Sequence, residues 1–388
     1  MLIQELSGHE KYIYTERYIN QFKKVANEVS PEYCAINGLP CFLLPNVILD
    51  INKVKLFLAN PRKDIFDKVV FDSNIKFFFH PQMIDEFNFS NVKCDTIVEP
   101  TSSTRTVVPK NENFAIKLHL NKRLSKYIRR LKADSVEHSV LVSSELEKGS
   151  KDINCPGSFG FLPESIGIAY NDIGMIIREM LPRPLVDENR ILVPLFSFYS
   201  RDMDNDSHMP FFVQLVNTGN YEPLDFFIEK IIRPLFANMS YFINEYGLLL
   251  EPHGQNVLVE MDSGFNTTRL IHRDFQSIYI DREIRNNKNL DTKFRKHIMG
   301  EECPKEVSYS LVYDQFVGEY LIENFVNLIF NTWNIPRDII IYNIKEVFKE
   351  YFDLSLFPKD CYYMMSKSTF NDNTTTFDRY HIKPKYRP

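Results

Sequence analysis

The chain has 388 residues, of which 44% are hydrophobic and 14% aromatic, enough for two domains or one large subdivided one with a sizeable core. A formal net charge of −5 excludes a general nucleic-acid binder, which carries a basic face. The six cysteines, Cys34, Cys41, Cys94, Cys155, Cys303 and Cys361, show neither CxxC pairing nor zinc spacing, so reduced thiols of a cytoplasmic protein are the plain reading. The N-terminal MLIQELSGHEKY lacks a basic-then-apolar signal pattern, and no apolar run approaches the roughly 18 residues of a membrane span.

In chain order, residues 1–30 read as a helix ending near Ser30-Pro31. From 35 to 100, short apolar runs (Cys41-Phe-Leu-Leu, Val54-Lys-Leu-Phe-Leu, Ile75-Lys-Phe-Phe-Phe) alternate with Pro and Asn breaks. Residues 101–120 read as two strands joined by the turn-like Pro109-Lys-Asn-Glu-Asn113. Leu124, Ile128 and Leu131 share one face of a basic helix expected over 122–133, and mixed strands with Pro- and Gly-rich loops are expected over 136–220. Phe226, Phe227, Ile231, Leu235, Met239, Phe242 and Ile243 recur at helical spacing over 223–246, with Pro234 as a kink and Gly247 as the C-cap. A strand at 257–261, a Ser263-Gly264 turn and a strand at 268–275 follow, then helices at 313–332 and 337–351. The polar tail from Ser366 is expected to fray.

The densest chemistry lies in Glu251-Pro-His253-Gly-Gln255-Asn256, just before an apolar strand, with Arg273-Asp274-Phe275 on the next. Acidic and amide oxygens converging from neighbouring strands suit Mg²⁺, which takes hard oxygen ligands from one or two carboxylates and from phosphates. The bland alternative is local: Asn, Asp and His all cap turns and bond their own backbone. Upstream, Thr101-Ser-Ser103-Thr-Arg105-Thr106 sets hydroxyls around an arginine fork that can bind a carboxylate or phosphate, although such loops are usually solvated turns. Lys117, Ser125 and Arg129 can place cations over an anionic ligand, or belong to a solvated face with Lys122, Arg123 and Lys132. Spacing decides neither His80-Pro81 nor Arg178-Glu179.

Taken in order, these segments resemble the siderophore synthetases that work independently of nonribosomal peptide synthetases, the aerobactin-synthetase-like IucA/IucC family. The resemblance rests on Ser103-x-Arg105-Thr106, Lys117, Ser125 where threonine is usual, Arg129 as a helix arginine, Tyr246-Gly-Leu-Leu-Leu-Glu251-Pro-His253-Gly-Gln255-Asn256 and Arg273-Asp274-Phe275. Ser30-Pro-Glu-Tyr33, His80-Pro81 and Ile177-Arg178-Glu179 fall in the family's order too. The resemblance implies an α+β fold of mixed and antiparallel sheets with packed helices, a cupped hand of palm, fingers and thumb, lacking part of the N-terminal domain. The expected division is 1–135 for the remainder of that N-terminal domain, 136–365 for the palm and 366–388 for the tail.

The activity implied is that of a ligase that adenylates a citrate-like polycarboxylate with ATP and Mg²⁺, then joins it to an amine or alcohol. By resemblance, Glu251, Asn256 and Asp274 hold the metal. Ser103, Arg105, Thr106, Lys117, Gln255, Asn256 and Asp274 line the nucleotide. Ser103, Ser125, Arg129, His253 and His9 meet the carboxylate, with Arg129, His253 and Lys117 as the catalytic set. A homodimer or a partner synthetase chain is a further implication, and neither nucleic acid nor membrane is expected as a partner. The family's Gly-His-Pro-x-His-Pro-x-x-Lys-x-Arg segment survives only as Gly8-His9-Glu10 and Arg17. Two alternatives stay open: a shortened paralogue that binds nucleotide or a partner without completing the reaction, and a kinase-like phosphotransferase. The latter lacks the aspartate its catalytic loop needs, since Gln255 stands there.

Overall fold

The computed structural model describes residues 6–17, 19, 28–35, 38–87, 89–124, 127–187, 190–368, 373–379 and 382–388. Its largest unit is an antiparallel sheet of nine strands in the order Lys55–Leu58, Glu164–Tyr170, Ile173–Glu179, Phe114–Leu118, Thr106–Pro109, Lys93–Pro100, Phe42–Asp50, Asn74–Phe78, Val70–Phe71. The apolar runs of residues 35–100 and the hairpin expected over 101–120 supply most of these strands. Two strands come from beyond residue 135, and Ile176 pairs with Lys117, so the division expected there runs through one hydrogen-bonded sheet.

A second sheet of four strands runs Phe159–Phe161, Thr267–His272, Val257–Met261, Ile191–Pro194, with the first pair parallel and the others antiparallel. Between the sheets lies a small apolar cluster. Val108 and Ala115 come from the large sheet, Leu192, Leu258 and Ile271 from the small one, and Tyr12 and Ile13 from the helix Gly8–Arg17. This cluster brings the end of one sheet to the end of the other. Of the helix expected over 1–30, the described part is Gly8–Arg17.

Two expectations are overturned. The described residues from Lys122 to Lys132 form no helix: Arg123–Leu124 and Tyr127–Ile128 pair as short antiparallel strands, and Arg129 N–H donates to the Lys122 carbonyl at 3.1 Å. The apolar spacing of Leu124 and Leu131 marks two separately buried residues, not a helical face, because cross-strand bonds meet the backbone's needs here. The helix instead starts later, at Ala133–Ser150, inside a region expected to be strands and loops. Its buried face carries Ser135, His138, Ser139, Ser143 and Glu145 among its apolar residues, so the hydrophobic period that normally reveals a helix is masked.

The long helix over 223–246 is present as Pro223–Phe227, a wider π-type segment Ile228–Ile232, and Arg233–Tyr246. The π segment directly precedes Pro234, whose missing N–H disrupts the regular ladder there. Gly247 ends the helix at φ 60°, a left-handed C-cap that glycine adopts without Cβ strain. Lys305–Ser310, a second π-type stretch Leu311–Ile322, Glu323–Trp333 and Arg337–Tyr351 complete the helical layer. That layer shares its aromatic-rich core with the small sheet.

The described residues of the tail, expected to fray, are paired. Tyr362–Ser368 and Asn373–Arg379 form a hairpin. Beyond it, Tyr386 and Arg387 are buried, and the Arg387 guanidinium holds Asp314 through bonds of 2.8 and 2.9 Å. No helix among the described residues is long and apolar enough to cross a membrane.

Candidate active site

The opening loop, Glu251 to Asn256, leaves the short strand Leu248–Leu249 and enters Val257–Met261. Its turn is closed by His253 N–H to the Glu251 carbonyl (3.1 Å) and Asn256 N–H to the His253 carbonyl (2.9 Å). Gly254 is demanded by close approach: a Cβ there would lie 2.1 Å from the Tyr199 hydroxyl oxygen. The neighbouring strand, expected over 268–275, ends at His272, two residues before Asp274. Arg273 N–H bonds the Asn256 carbonyl at 2.9 Å, and Asp274 then turns the chain at φ 71°, a conformation Asp tolerates better than most residues.

That turn aims Asp274 at the large sheet. Its Oδ1 accepts from the ammonium of Lys117, a side chain only 1% exposed, and its Oδ2 lies 3.9 Å from Arg178. Lys117 stands opposite Thr106 in the sheet register, so the hydroxyl loop and the lysine share one place. Within that loop Ser103 Oγ accepts the Thr106 N–H at 3.0 Å, and Thr104 takes φ 65°. Arg105 is buried, donating to the Arg129 carbonyl (3.1 Å) and to Gln276 Oε1 (3.2 Å). Arg129 therefore belongs to the site from a short hairpin and not from a helix. Ser125 lies outside the described residues.

Electrostatics follow from crowding charges where water is scarce. Burial, only partly offset by Asp274, lowers the Lys117 ammonium to about 8. Burial and the neighbouring Arg129 lower Arg105 to about 10. Burial opposes ionisation of Asp274, yet Lys117, Arg178 and Arg105 hold its carboxyl well below the usual range. Burial, reinforced by the charge of Asp274, raises Glu251 to about 8. Burial pushes His253 down to about 4. Its Nδ1 accepts the Gln255 N–H at 3.2 Å, so the neutral ring carries its proton on Nε2, which faces Glu251 Oε1 at 3.6 Å.

A second layer of side chains, only partly foreseen from the sequence, supports these groups. Arg178 pairs with Glu164, which also accepts from Ser139 and from the Phe275 N–H. Arg178 thus faces the site, while Glu179, one residue on, points to the other face and holds Arg183. Arg273 ion-pairs with Glu16 and donates to Tyr12 Oη (2.7 Å) and the Gln255 carbonyl (2.8 Å). Ser102 Oγ donates to Glu16 (2.7 Å) and accepts from Gln255 Nε2 (3.1 Å). Arg178, Gln255 and Arg273 stand in motifs read from the sequence, and Ser102 lies beside Ser103, whereas Tyr12, Glu16, Ser139 and Glu164 carried no sequence hint. Two histidines stand elsewhere: His9 is bonded to Glu99 at 2.6 Å, and buried His80 caps a short 3-10 turn through Gln82 N–H. Among the described residues no group of three His, Cys, Asp or Glu side chains gathers as a metal cage. Glu251 and Asp274 lie close enough for the charge of one to act on the other.

Comparison with known proteins agrees with this architecture. A sequence model of the IucA / IucC family matches residues 91–200, and one described as ferric iron reductase FhuF-like transporter matches residues 226–360. An L-2,3-diaminopropanoate–citrate ligase of Staphylococcus aureus is 26% identical over 212 residues, 50% of this chain. The aligned region spans 35% of that relative's length, about a third. Among solved structures, the petrobactin biosynthesis protein AsbB of Bacillus anthracis superposes with a TM-score of 0.68 at 17% identity, covering 91% of this chain and 71% of its own. ATP-bound aerobactin synthetase IucA of Klebsiella pneumoniae gives 0.69 at 14% identity, covering 93% and 72%. The α+β fold expected from the motifs is therefore the fold of these synthetases. With the family match over residues 91–200, the citrate-ligase relative and the shared fold, the chain is similar to the IucA / IucC family of siderophore synthetases.

Proposed function

We propose that this protein is an ATP-dependent ligase that activates a citrate-like polycarboxylate as an acyl-adenylate and joins it to an amine or alcohol. The observation that carries the reading is the meeting of Lys117 and Asp274 at the junction of the two sheets, with Arg105, Arg129, Glu251, His253 and Asn256 around them. The citrate ligase and the ATP-bound synthetase among the relatives support the same chemistry.

The donor set suits Mg²⁺. Burial, reinforced by the charge of Asp274, holds Glu251 back from ionising, and a hard divalent cation offsets both effects. Glu251, Asn256 and Asp274 would hold it. When bound, the cation supplies charge neutralisation at phosphate oxygens.

The chain's own residues do the rest. A carboxylate must attack the α-phosphorus of ATP, forming an acyl–phosphate bond as the bond to pyrophosphate breaks. Anion meets anion, so cations must screen both. Lys117, Arg105 and Arg129 supply that charge from buried or half-buried positions, where fixed charge acts most strongly. Ser103 and Thr106 set the hydroxyl loop, and Gln255 orients through Ser102. His253, neutral above about pH 4, offers a donor at Nε2 without adding charge. In the second half the amine or hydroxyl attacks the acyl carbon, AMP leaves with the bonding pair, and the nucleophile's proton is lost to solvent or phosphate. Positioning supplies much of the remaining rate.

The test is ATP–pyrophosphate exchange, or hydroxylamine trapping, with citrate and related acids. Exchange is expected in the parent protein, falling at least ~100-fold in Asn256→Ala and in Arg129→Ala. ADP as product would instead indicate phosphoryl transfer. Mg–ATP binding without exchange across a broad acid panel would indicate a binding paralogue.

A further inference from the structure

Between Asp274 and Tyr279 the chain turns, and three side chains of this turn reach ionisable groups of the site. Asp274 meets Lys117, Gln276 Oε1 accepts an Arg105 N–H at 3.2 Å, and the Ser277 side chain hydrogen-bonds Glu251. Inside the turn, Ile278 N–H reaches the Phe275 carbonyl only at 3.4 Å, a long and weak bond. Past it the chain is secure. Tyr279–Ile280 pairs with Leu248–Leu249, and Ile280 exchanges backbone bonds with His297 and Met299.

Both ends of the turn are held by consecutive residues of the helix Ala133–Ser150. Ser139 bonds Glu164, whose same oxygen accepts the Phe275 N–H at 3.2 Å. Ser143, one helical turn on, accepts the Glu164 N–H at 3.0 Å, so backbone and side chain of Glu164 are both fixed. At the other end, His138 Nε2 lies 2.9 Å from the Ile278 carbonyl. A carbonyl only accepts, so Nε2 carries the proton. Nδ1 is buried, and among the described residues it has no hydrogen-bond partner. Phe294 and His297 pack edge-on against the ring, with centroids 5.5 and 5.2 Å away. Burial pushes His138 down to about 4, so the ring stays neutral. Leucine would fill this place without burying an unbonded nitrogen. The carbonyl that the ring holds accounts for the histidine.

We infer that His138 is a positioning residue of the active centre: with Ser139 and Glu164 it clamps the 275–278 turn, and so sets where Asp274, Gln276 and Ser277 stand against Lys117, Arg105 and Glu251. His138 touches no substrate in this account. It acts through the backbone, as outer groups around a ligand site orient the inner ones. The inference rests on the reading of this centre as a Mg–ATP site.

The test pairs Mg–ATP calorimetry with deuterium uptake of the ligand-free full chain, both well below the melting temperature. His138→Leu removes the donor. It should bind Mg–ATP at least ~10-fold more weakly than the parent. It should also take up deuterium faster over 274–280, with the distant strand Phe42–Asp50 unchanged. In pyrophosphate exchange kcat should fall ~10–100-fold while the KM for citrate moves less than ~3-fold. His138→Gln, whose amide can donate from near the place of Nε2, should restore most of the affinity and the protection. Ser139→Ala loosens the other end of the turn and should act in the same direction, which decides the matter if His138→Leu does not fold. A lower melting temperature with parental Mg–ATP affinity and parental uptake over 274–280 overturns the inference, leaving the ring as packing alone. So does a glutamine variant as impaired as the leucine one. Failure of the ligase reading would show separately, as a parent that binds Mg–ATP without pyrophosphate exchange.

Discussion

Lys117 and Asp274, 157 residues apart in the chain, form an ion pair across the junction of the two sheets, with the lysine 1% exposed. Each restrains the other's charge, and the pair ties the hydroxyl-loop side of the site to the side that carries the 251–256 loop. Removing one partner leaves a buried charge uncompensated. Asp274→Asn is therefore expected to cost about 3 kcal/mol of stability, measured by urea denaturation. Lys117→Met should fold but lose at least ~100-fold in pyrophosphate exchange. An unchanged urea midpoint for Asp274→Asn would show that the pair is not formed in solution.

The metal-free protein should show a shaped dependence of stability on pH. Glu251 is raised from 4.5 to about 8, so the folded state holds a proton there that the unfolded state has released. Its contribution is complete below about pH 4.5 and is lost as pH rises towards 8. His253 is lowered from 6.5 to about 4; its contribution is present above 6.5 and lost as pH falls to 4. In chelator-treated samples melted across pH 4–9, Glu251→Gln should flatten the decline between about 5 and 8. A decline of the same slope in Glu251→Gln would assign it to another group.

Gly254 faces the Tyr199 hydroxyl across a gap that no Cβ fits. Gly254→Ala is expected to cost about 1–3 kcal/mol through overpacking and to impair exchange by displacing His253 and Asn256. Adding Tyr199→Phe removes the clashing oxygen, so the double variant should recover part of the loss. Simple additivity of the two changes would argue against the contact.

Arg387 sits one residue from the C-terminus and is 2% exposed, paired with Asp314. Its partner lies on the π-type segment whose Phe316 packs edge-on against His253 at 6.1 Å. Arg387→Ala should destabilise the fold by about 3–5 kcal/mol, the cost of stranding a buried acid, seen as a lower denaturant midpoint. A frayed tail would instead make the substitution silent.

Much of the site was legible because its residue types cluster locally. Glu251, His253, Gln255 and Asn256 fall within six residues, and Ser103, Arg105 and Thr106 within four. The helix over 223–246, its Gly247 cap and the hairpin over 106–118 were legible for a related reason: apolar period and turn chemistry are properties of neighbours in the chain. The helix Ala133–Ser150 was not, because its buried face is half polar and satisfied by tertiary partners such as Glu164 and Thr292. The segment 122–133 misled for the converse reason. Apolar residues at helical spacing serve there as strand anchors once the backbone finds a cross-strand partner.

By itself, then, the sequence determined the family resemblance, the α+β class and the short stretches that carry charge and hydroxyl groups. Each of these follows from residue types a few positions apart. Only the tertiary structure decided which charges meet. Lys117 finds Asp274, Arg178 turns to the site while Glu179 turns away, and Glu16 closes on Arg273 from the other end of the chain. The strength of such pairs depends on burial and on distance through space, and neither quantity is encoded in local spacing. That is why the carboxylate seated beside Arg273 became visible only in the folded chain.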